Sequence, residues 1–314
     1  MVTCFPSFHF PRRQDRLIII LLSILLTIAL YQNYSAVPLS KTILEDVPEK
    51  RDYRTTKDKL KTLAAELKPS DDKITSYEQV GKIFLRSDEG ACKSQGMWGG
   101  RIWNGVYLIG KGWTDAMDGN YTLCMDPGVA PNQKSCLVYS FGIANNWSFD
   151  EDAEKYGCEV YSFDPSIGQK PHMHSAKVHF YDYGLSNVDT DQGPNGWRMR
   201  RLESLMTELG HSDRIIDVLK IDIEDSEHDV IPEIVSSGII KKVKQIVWEI
   251  HNFKQLPVAK FFETFSVLEK AGFEKFFSEN WPYPNESFKK VDGTYDMTFY
   301  IFSHYNKKFL QKST

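Results

Sequence analysis

From Cys136 to Ser303 the sequence switches repeatedly between two hydrophobic periods, and that alternation constrains the fold more than any other feature. Cys136–Ile143, Glu159–Asp164, Ala176–Phe180, Ile215–Glu224, Val243–His251, Phe273–Ser278 and Met297–Ser303 are short apolar runs with strand character. Phe149–Gly157, Trp197–Gly210, Glu227–Ser237 and Val258–Ala271 carry helical spacing, and Gly210, Gly238 and Gly272 close the last three. Strands alternating with helices build a doubly wound, mostly parallel α/β sheet, here of seven strands, with right-handed crossovers. Such sheets bind ligands beyond the carboxyl ends of their strands, at the topological switch point. The strand ends are therefore where chemistry is expected.

The first strand ends in Ser140-Phe141-Gly142-Ile143-Ala144, where a glycine lets backbone approach a ligand and the next helix offers unpaired N–H groups. Asp164 closes the second strand twenty-two residues further on, the spacing of an acid that accepts from a ribose diol. A turn carboxylate before Pro165 accounts for that acid equally well, and the G-x-G-x-x-G pattern is absent. The fourth strand places Asp222 and Glu224 on one face by the period of two, and the fifth does the same with Glu249 and His251. In the usual strand order these two strands are neighbours. Three carboxylates and an imidazole at one mouth must be paired, protonated or metal-bound. Asp222 and His251 are the candidate general bases, with Glu224 and Glu249 beside them. A divalent metal on these oxygens is a further possibility, Mg²⁺, Ca²⁺ or Mn²⁺ rather than zinc. Asp225, Glu227 and Asp229 read as first-turn helix acids. Trp248 and the phenylalanine pairs at 261–262 and 276–277 read as core.

The N-terminal part follows different rules. Arg12, Arg13 and Arg16 precede an apolar run from Leu17 to Tyr31 that lacks a small-x-small cleavage site, which predicts an uncleaved signal anchor at 17–35 behind a cytoplasmic tail at 1–16. A charged stem is expected at 36–89, with helical spacing from Thr55 to Leu67, then a Gly- and Trp-rich irregular cap with short strands at 90–135. The core is expected at 136–304 and a tail at 305–314. This arrangement is that of a single-pass type II membrane protein of the endoplasmic reticulum or Golgi, with its catalytic body in the lumen. Cys92, Cys124, Cys136 and Cys158 form an even luminal set with three possible pairings, and sequons stand at Asn33, Asn120, Asn146 and Asn285. Thirty-eight basic against 42 acidic residues give no nucleic-acid footprint.

Taken together, LVYSFGIANNWSFD, CEVYSFDPS, YDYGLS, DVLKIDIEDSEHDVI and IVWEIH resemble the methyltransferase-like protein 24 family and, more distantly, FkbM-type methyltransferases. The resemblance spans roughly Gly90 to Ser303. It implies a class I, Rossmann-like methyltransferase fold with an antiparallel last strand and S-adenosylmethionine as cofactor. By position it implies Ser140, Gly142 and Trp147 in the first cofactor loop, Asp164 at the ribose, and Asp182 and Tyr183 near the adenine. Where the family often has Asp this chain has Asn146, whose glycan would crowd the cofactor loop, so that sequon is expected to stay unmodified. In the implied strand order the first two strands are adjacent. Cys136 and Cys158, each six residues before its strand-end marker, then pair, leaving Cys92 with Cys124; Cys124–Cys136 is the alternative. The implied reaction is methyl transfer, chiefly to oxygen, on a small-molecule, glycan or protein acceptor. A luminal glycosyltransferase is the competing reading, with Asp189-Thr190-Asp191 as its metal motif, although no apolar strand leads into that loop. An inactive binding module of the same fold is the third. His172-x-His174 lies in a loop after Pro171 and reads as substrate-side or simply exposed.

Overall fold

In the computed structural model the described residues are 77–84, 91–108, 112–251, 256–280 and 299–310. The expected anchor, the helical part of the stem, Cys4 and the sequons at Asn33 and Asn285 lie outside them. Among the described residues no helix is long and apolar enough to cross a membrane.

The main sheet is built from β3 (Leu137–Phe141), β4 (Glu159–Phe163), β5 (His172–Met173), β6 (Val178–Tyr181), β9 (Ile216–Ile221), β10 (Val243–His251), β11 (Phe273–Asn280) and β12 (Phe299–Asn306). Their order is β11-β12-β10-β9-β3-β4-β6-β5. Contacts from β10 through β9, β3 and β4 to β6 are parallel, while β12 runs antiparallel to both β10 and β11. This is the Rossmann-like methyltransferase fold. The chain leaves β3 toward β4 and β6 on one side and returns to β9 and β10 on the other, so the switch point lies between β3 and β9.

Alternation along the strands divides the core into two layers. Leu137, Tyr139, Phe141, Leu219, Ile221, Ile246, Trp248 and Ile250 face one way, into the layer that includes α3 (Leu202–Glu208), α4 (Glu227–Ser236) and α5 (Val258–Lys270). Cys136, Val138, Cys158, Val160, Val218 and Val247 face the other way, toward α2 (Ser148–Tyr156) and a β-hairpin. Trp248 and the Phe261–Phe262 pair are buried as expected. Phe84, from α1 (Tyr77–Phe84) in the stretch expected to be stem, sits among Phe261, Phe265, Tyr300 and Phe302 at 4.6–5.5 Å between ring centroids. The folded body therefore begins before residue 90.

Several expectations need correction. The cap is one long hairpin, β1 (Gln95–Leu108) against β2 (Gly112–Cys124), rather than short irregular strands. Glycines scattered through the cap obscured the alternation that pairs Trp98 with Tyr121 and Arg101 with Asp118. Among the described residues the sheet has eight strands rather than seven. Pro165, Gly168 and Pro171 deny the β4–β6 connection a helix, and the chain lays down the two-residue β5 along the sheet edge instead. The segment expected to be helical from Trp197 starts as β8 (Arg198–Arg200), paired with β7 (Tyr183–Leu185), and turns helical only at Leu202. Finally, β9 stops at Ile221, short of Glu224, and β12 runs on to Asn306, into the expected tail.

The cysteines pair as Cys136–Cys158 and Cys92–Cys124, with Cα separations of 4.6 and 5.8 Å. Leu137 is in register with Glu159, so the residues just before them project side by side from the same layer of the sheet. Cys124–Cys136 is thereby excluded. Closing a loop with a sequence separation of 22 restricts the unfolded chain by about 3 kcal/mol. The double substitution Cys136→Ala/Cys158→Ala is expected to lower the melting temperature by roughly 6–12 °C. Calorimetric melts of the two proteins check this, and an unchanged melting temperature would show the bridge to be dispensable.

Candidate active site

Register places the acid cluster. Trp248 pairs with Ile221 across the parallel β9–β10 ladder, so Glu249 falls level with Asp222 just past the end of β9. From the other layer, β2 brings Tyr121 over the same point. Gln245 of β10 docks the end of β2, accepting from Cys124 N–H at 2.7 Å and donating to the carbonyls of Cys124 and Val129. The Tyr121 hydroxyl then donates to Glu249 Oε1 at 3.0 Å and lies 3.4 Å from Asp222 Oδ2. His251 directs Nε2 at three carboxylates, 3.6 Å from Glu249 Oε2, 3.8 Å from Glu224 Oε2 and 3.9 Å from Asp222 Oδ1.

All four predicted catalytic residues thus converge, although for Glu224 the reason differs from strand alternation. Glu224 and Asp225 adopt left-handed backbone (φ 54° and 73°) in a turn. Glu224 has a side chain 70% exposed at the rim, whereas that of Asp222 is 24% exposed.

Glu227 stands in the first turn of its helix as expected, but the structure also buries it completely and gives it a place in the site that the sequence did not suggest. Its Oε1 accepts from Ile223 N–H at 2.8 Å and lies 3.1 Å from His251 Nδ1, fixing the ring from behind. His228, the next residue, has Nε2 2.6 Å from the His251 carbonyl, which can only accept, so that nitrogen carries the proton. The one available signal was position: an acid three residues beyond Glu224, where a turn can fold it back against the strand end.

Burial decides the electrostatics. It raises the carboxyl pKa of Glu249 well above the usual range, and the Asp222 charge pushes the same way. Asp222 is also raised by burial, against the pull of Lys220 and His251. For His251 burial disfavours the charged ring, but Glu227, Asp222 and Glu249 outweigh it and hold the pKa up to about 10. Burial likewise raises the Tyr121 hydroxyl well above its ordinary value, helped by Glu249 and Asp222. The carboxyls of Glu249 and Asp222 are therefore inclined to hold protons and the imidazole to stay charged, and the groups titrate together as one set.

Beside it stands the turn after β3. Gly142 has φ 72°, and Ala144 and Asn145 follow at 44° and 61°, three left-handed residues in a four-residue stretch. For non-glycine residues such backbone is strained and marks functional loops. Asp164 braces this turn: Oδ2 accepts from Ala144 N–H at 2.9 Å, and Oδ1 accepts from the N–H and hydroxyl of Ser166. Asp164 is only 4% exposed, so its carboxylate shapes this turn from within.

The other residues assigned to the cofactor divide. Ser140 is fully buried beneath the sheet end, in the layer of Ser162 and Asp150, and does not face the loop. Trp147 caps the start of α2 and stacks on His174 at 3.9 Å, turned toward the sheet edge. The His172–His174 pair is engaged locally, His172 with the Lys170 carbonyl and His174 with Glu151. Asp182 is ion-paired with Arg198, whose guanidinium lies 4.4 Å from the Tyr183 ring centroid, with Arg200 at 5.2 Å. Asn146 uses both ends of its amide, donating to the Asp118 carbonyl and accepting from Ser148. In the Asp189-Thr190-Asp191 triplet, Asp189 is held by Arg201 and Ser204 and Asp191 by Arg200.

Comparison with known proteins bears on the family of the chain. The human "Probable methyltransferase-like protein 24" is 28% identical over 147 residues, 45% of this chain and 38% of that protein. Its Rattus norvegicus counterpart is 28% identical over 123 residues, 38% of this chain and 33% of its own length. The matched stretch thus spans little more than a third of these relatives. Among solved structures, TrmK of M. capricolum in complex with S-adenosyl-homocysteine shares 8% identity at a TM-score of 0.29, covering 60% of this chain and 69% of that one. A family model described as a methyltransferase domain matches residues 108–291, from the end of β1 past β11, and this chain belongs to that methyltransferase-domain family.

Proposed function

We propose that this protein transfers the methyl group of S-adenosylmethionine to a hydroxyl of an acceptor in the lumen of the secretory pathway. The observation that carries the reading is the juxtaposition at the switch point: the left-handed Gly142–Asn145 turn abuts the Asp222–Glu249–His251–Tyr121 cluster. The Gly142–Asn145 turn, Asp164 and Tyr183 are the residues that would hold the cofactor. An acceptor hydroxyl enters from the Glu224 rim. The cofactor would supply an electrophilic methyl group to the acceptor oxygen, and Asp222 would take up the hydroxyl proton, since His251 already holds one and instead steadies the carboxylates around it.

Two disulfides support the luminal placement, since such bonds persist in oxidising compartments. The signal anchor at 17–35 supplies the route there as a type II membrane protein of the endoplasmic reticulum or Golgi. A small molecule, glycan or protein side chain remains the acceptor class. The glycosyltransferase reading loses its metal motif, because arginines occupy Asp189 and Asp191.

Incubating the full chain with methyl-labelled S-adenosylmethionine and a secretory-pathway extract is expected to label an acceptor. Absence of cofactor binding in a calorimetric titration would overturn the proposal. Asp164→Ala is expected to weaken that binding by about 10- to 100-fold, the equivalent of roughly 1.5–3 kcal/mol, through loss of a charged acceptor and the freed Ala144 N–H. An unchanged dissociation constant in the folded variant would remove Asp164 from the site.

A further inference from the structure

We propose that Asp222, Glu227 and His251 form a divalent-cation site. Each offers one ligand atom, and these atoms all lie within 4.8 Å of one another. Cis ligands on an ion of Mg²⁺ or Mn²⁺ size stand about 3 Å apart and trans ligands about 4.3 Å, so a modest inward closure completes the set.

An acidic cluster alone would not establish a site; the state of Glu227 does. Its Oε1 is committed to Ile223 N–H and His251, but Oε2 is buried and has no hydrogen-bond partner. A carboxylate oxygen withdrawn from water without a donor is costly, and buried anions in proteins pair with cations or bind metals. Glu227 belongs to a carboxylate set that outnumbers its cations. Asp222, Glu224, Glu227 and Glu249 face Lys220 and His251. An ion reaches the site from the rim, where the Asp222 and Glu224 side chains are exposed in part.

The donor chemistry is two hard oxygens and one imidazole, which gives up a proton as the ion takes its place, and this set suits Mn²⁺ or Mg²⁺ better than thiophilic ions. Three protein donors leave coordination positions open for water or for an acceptor hydroxyl, whose pKa the ion would lower. Only this last role rests on the methyltransferase reading; the binding of the ion does not.

The test is calorimetric titration of MnCl₂ into the full chain stripped with chelator, with a separate S-adenosylmethionine titration of the same sample. The expected result is one Mn²⁺ per chain, with affinity reduced at least 10-fold in Glu227→Gln and also in Asp222→Asn, whose partly exposed side chain makes misfolding less of a concern. Cofactor affinity in each variant reports that it is folded. Cofactor binding without saturable Mn²⁺ binding, or unchanged Mn²⁺ affinity in both folded variants, overturns the cation site while sparing the methyltransferase reading. Stoichiometric Mn²⁺ binding that both variants weaken supports the site, even if the cofactor fails to bind and the methyltransferase reading falls.

Discussion

Gly142→Ala is expected to abolish cofactor binding and to cost on the order of 4 kcal/mol of stability, at the upper end for single substitutions. A Cβ at residue 142 would lie 1.6 Å from the carbonyl oxygen of Asp222 and 2.7 Å from its carbonyl carbon. Both are backbone atoms at the end of an adjacent strand, so no side chain can swing aside to relieve the overlap. The left-handed φ of 72° adds about 1–2 kcal/mol for any L-residue. Relief requires β3 and β9 to part at their carboxyl ends, which moves Asp222 away from Glu249 and Tyr121. Thermal melts and cofactor titration of the variant read both effects. A stable variant with ordinary cofactor affinity would mean that the close approach of the two strand ends is not needed for the site. The loss should not be confined to stability: at a temperature where the variant remains folded, the displaced cluster is still expected to lower activity by at least 100-fold.

The sequence made most of the sheet legible because seven of its eight described strands carry enough apolar residues to mark themselves, whereas the two-residue β5 does not. Cys136–Ile143 and Val243–His251 are buried runs with no competing reading, and β3 and β10 lie where they predict. The acids at strand ends were legible for the same reason, since a parallel neighbour at equal height brings Glu249 to Asp222. What escaped depends on contacts between segments remote in sequence. Tyr121 reaches Glu249 across a sequence separation of 128, through a hairpin whose register no local pattern reveals. Ser140 and Trp147 were assigned to the cofactor by position in a motif, but side-chain direction is set by packing: Ser140 points to a buried polar layer and Trp147 to a histidine on the sheet edge. Glu227 illustrates the same limit. A helix N-terminus attracts acids for electrostatic reasons whether or not they serve chemistry, so its burial against His251 was invisible until the turn at 222–226 was placed.

Lys220→Met is expected to damage stability and site together, because one buried ammonium joins the two halves of the active centre. Lys220 Nζ donates to the carbonyls of Phe141 and Gly142 at 3.1 and 2.8 Å, stands 3.7 Å from Asp222 Oδ2, and lies 5.3 Å from the Tyr121 ring centroid. The residue is 4% exposed, so water cannot readily replace it. Methionine preserves length and apolar packing but withdraws the donor from both carbonyls and leaves Asp222 facing Glu224, Glu227 and Glu249 without its nearest lysine. Removing one partner of a buried charge pair costs about 3–5 kcal/mol, mostly through the charge left behind. For a body of this size that corresponds to a melting-temperature fall of roughly 6–20 °C. If the uncompensated carboxylate is the main cause, the double variant Lys220→Met/Asp222→Asn should be more stable than Lys220→Met alone, with a coupling energy of roughly 0.5–3 kcal/mol in a double-mutant cycle. If the two carbonyls dominate instead, the double variant will show simple additivity, and Lys220 will be a backbone staple for the Gly142 turn rather than the counter-charge of the acid cluster.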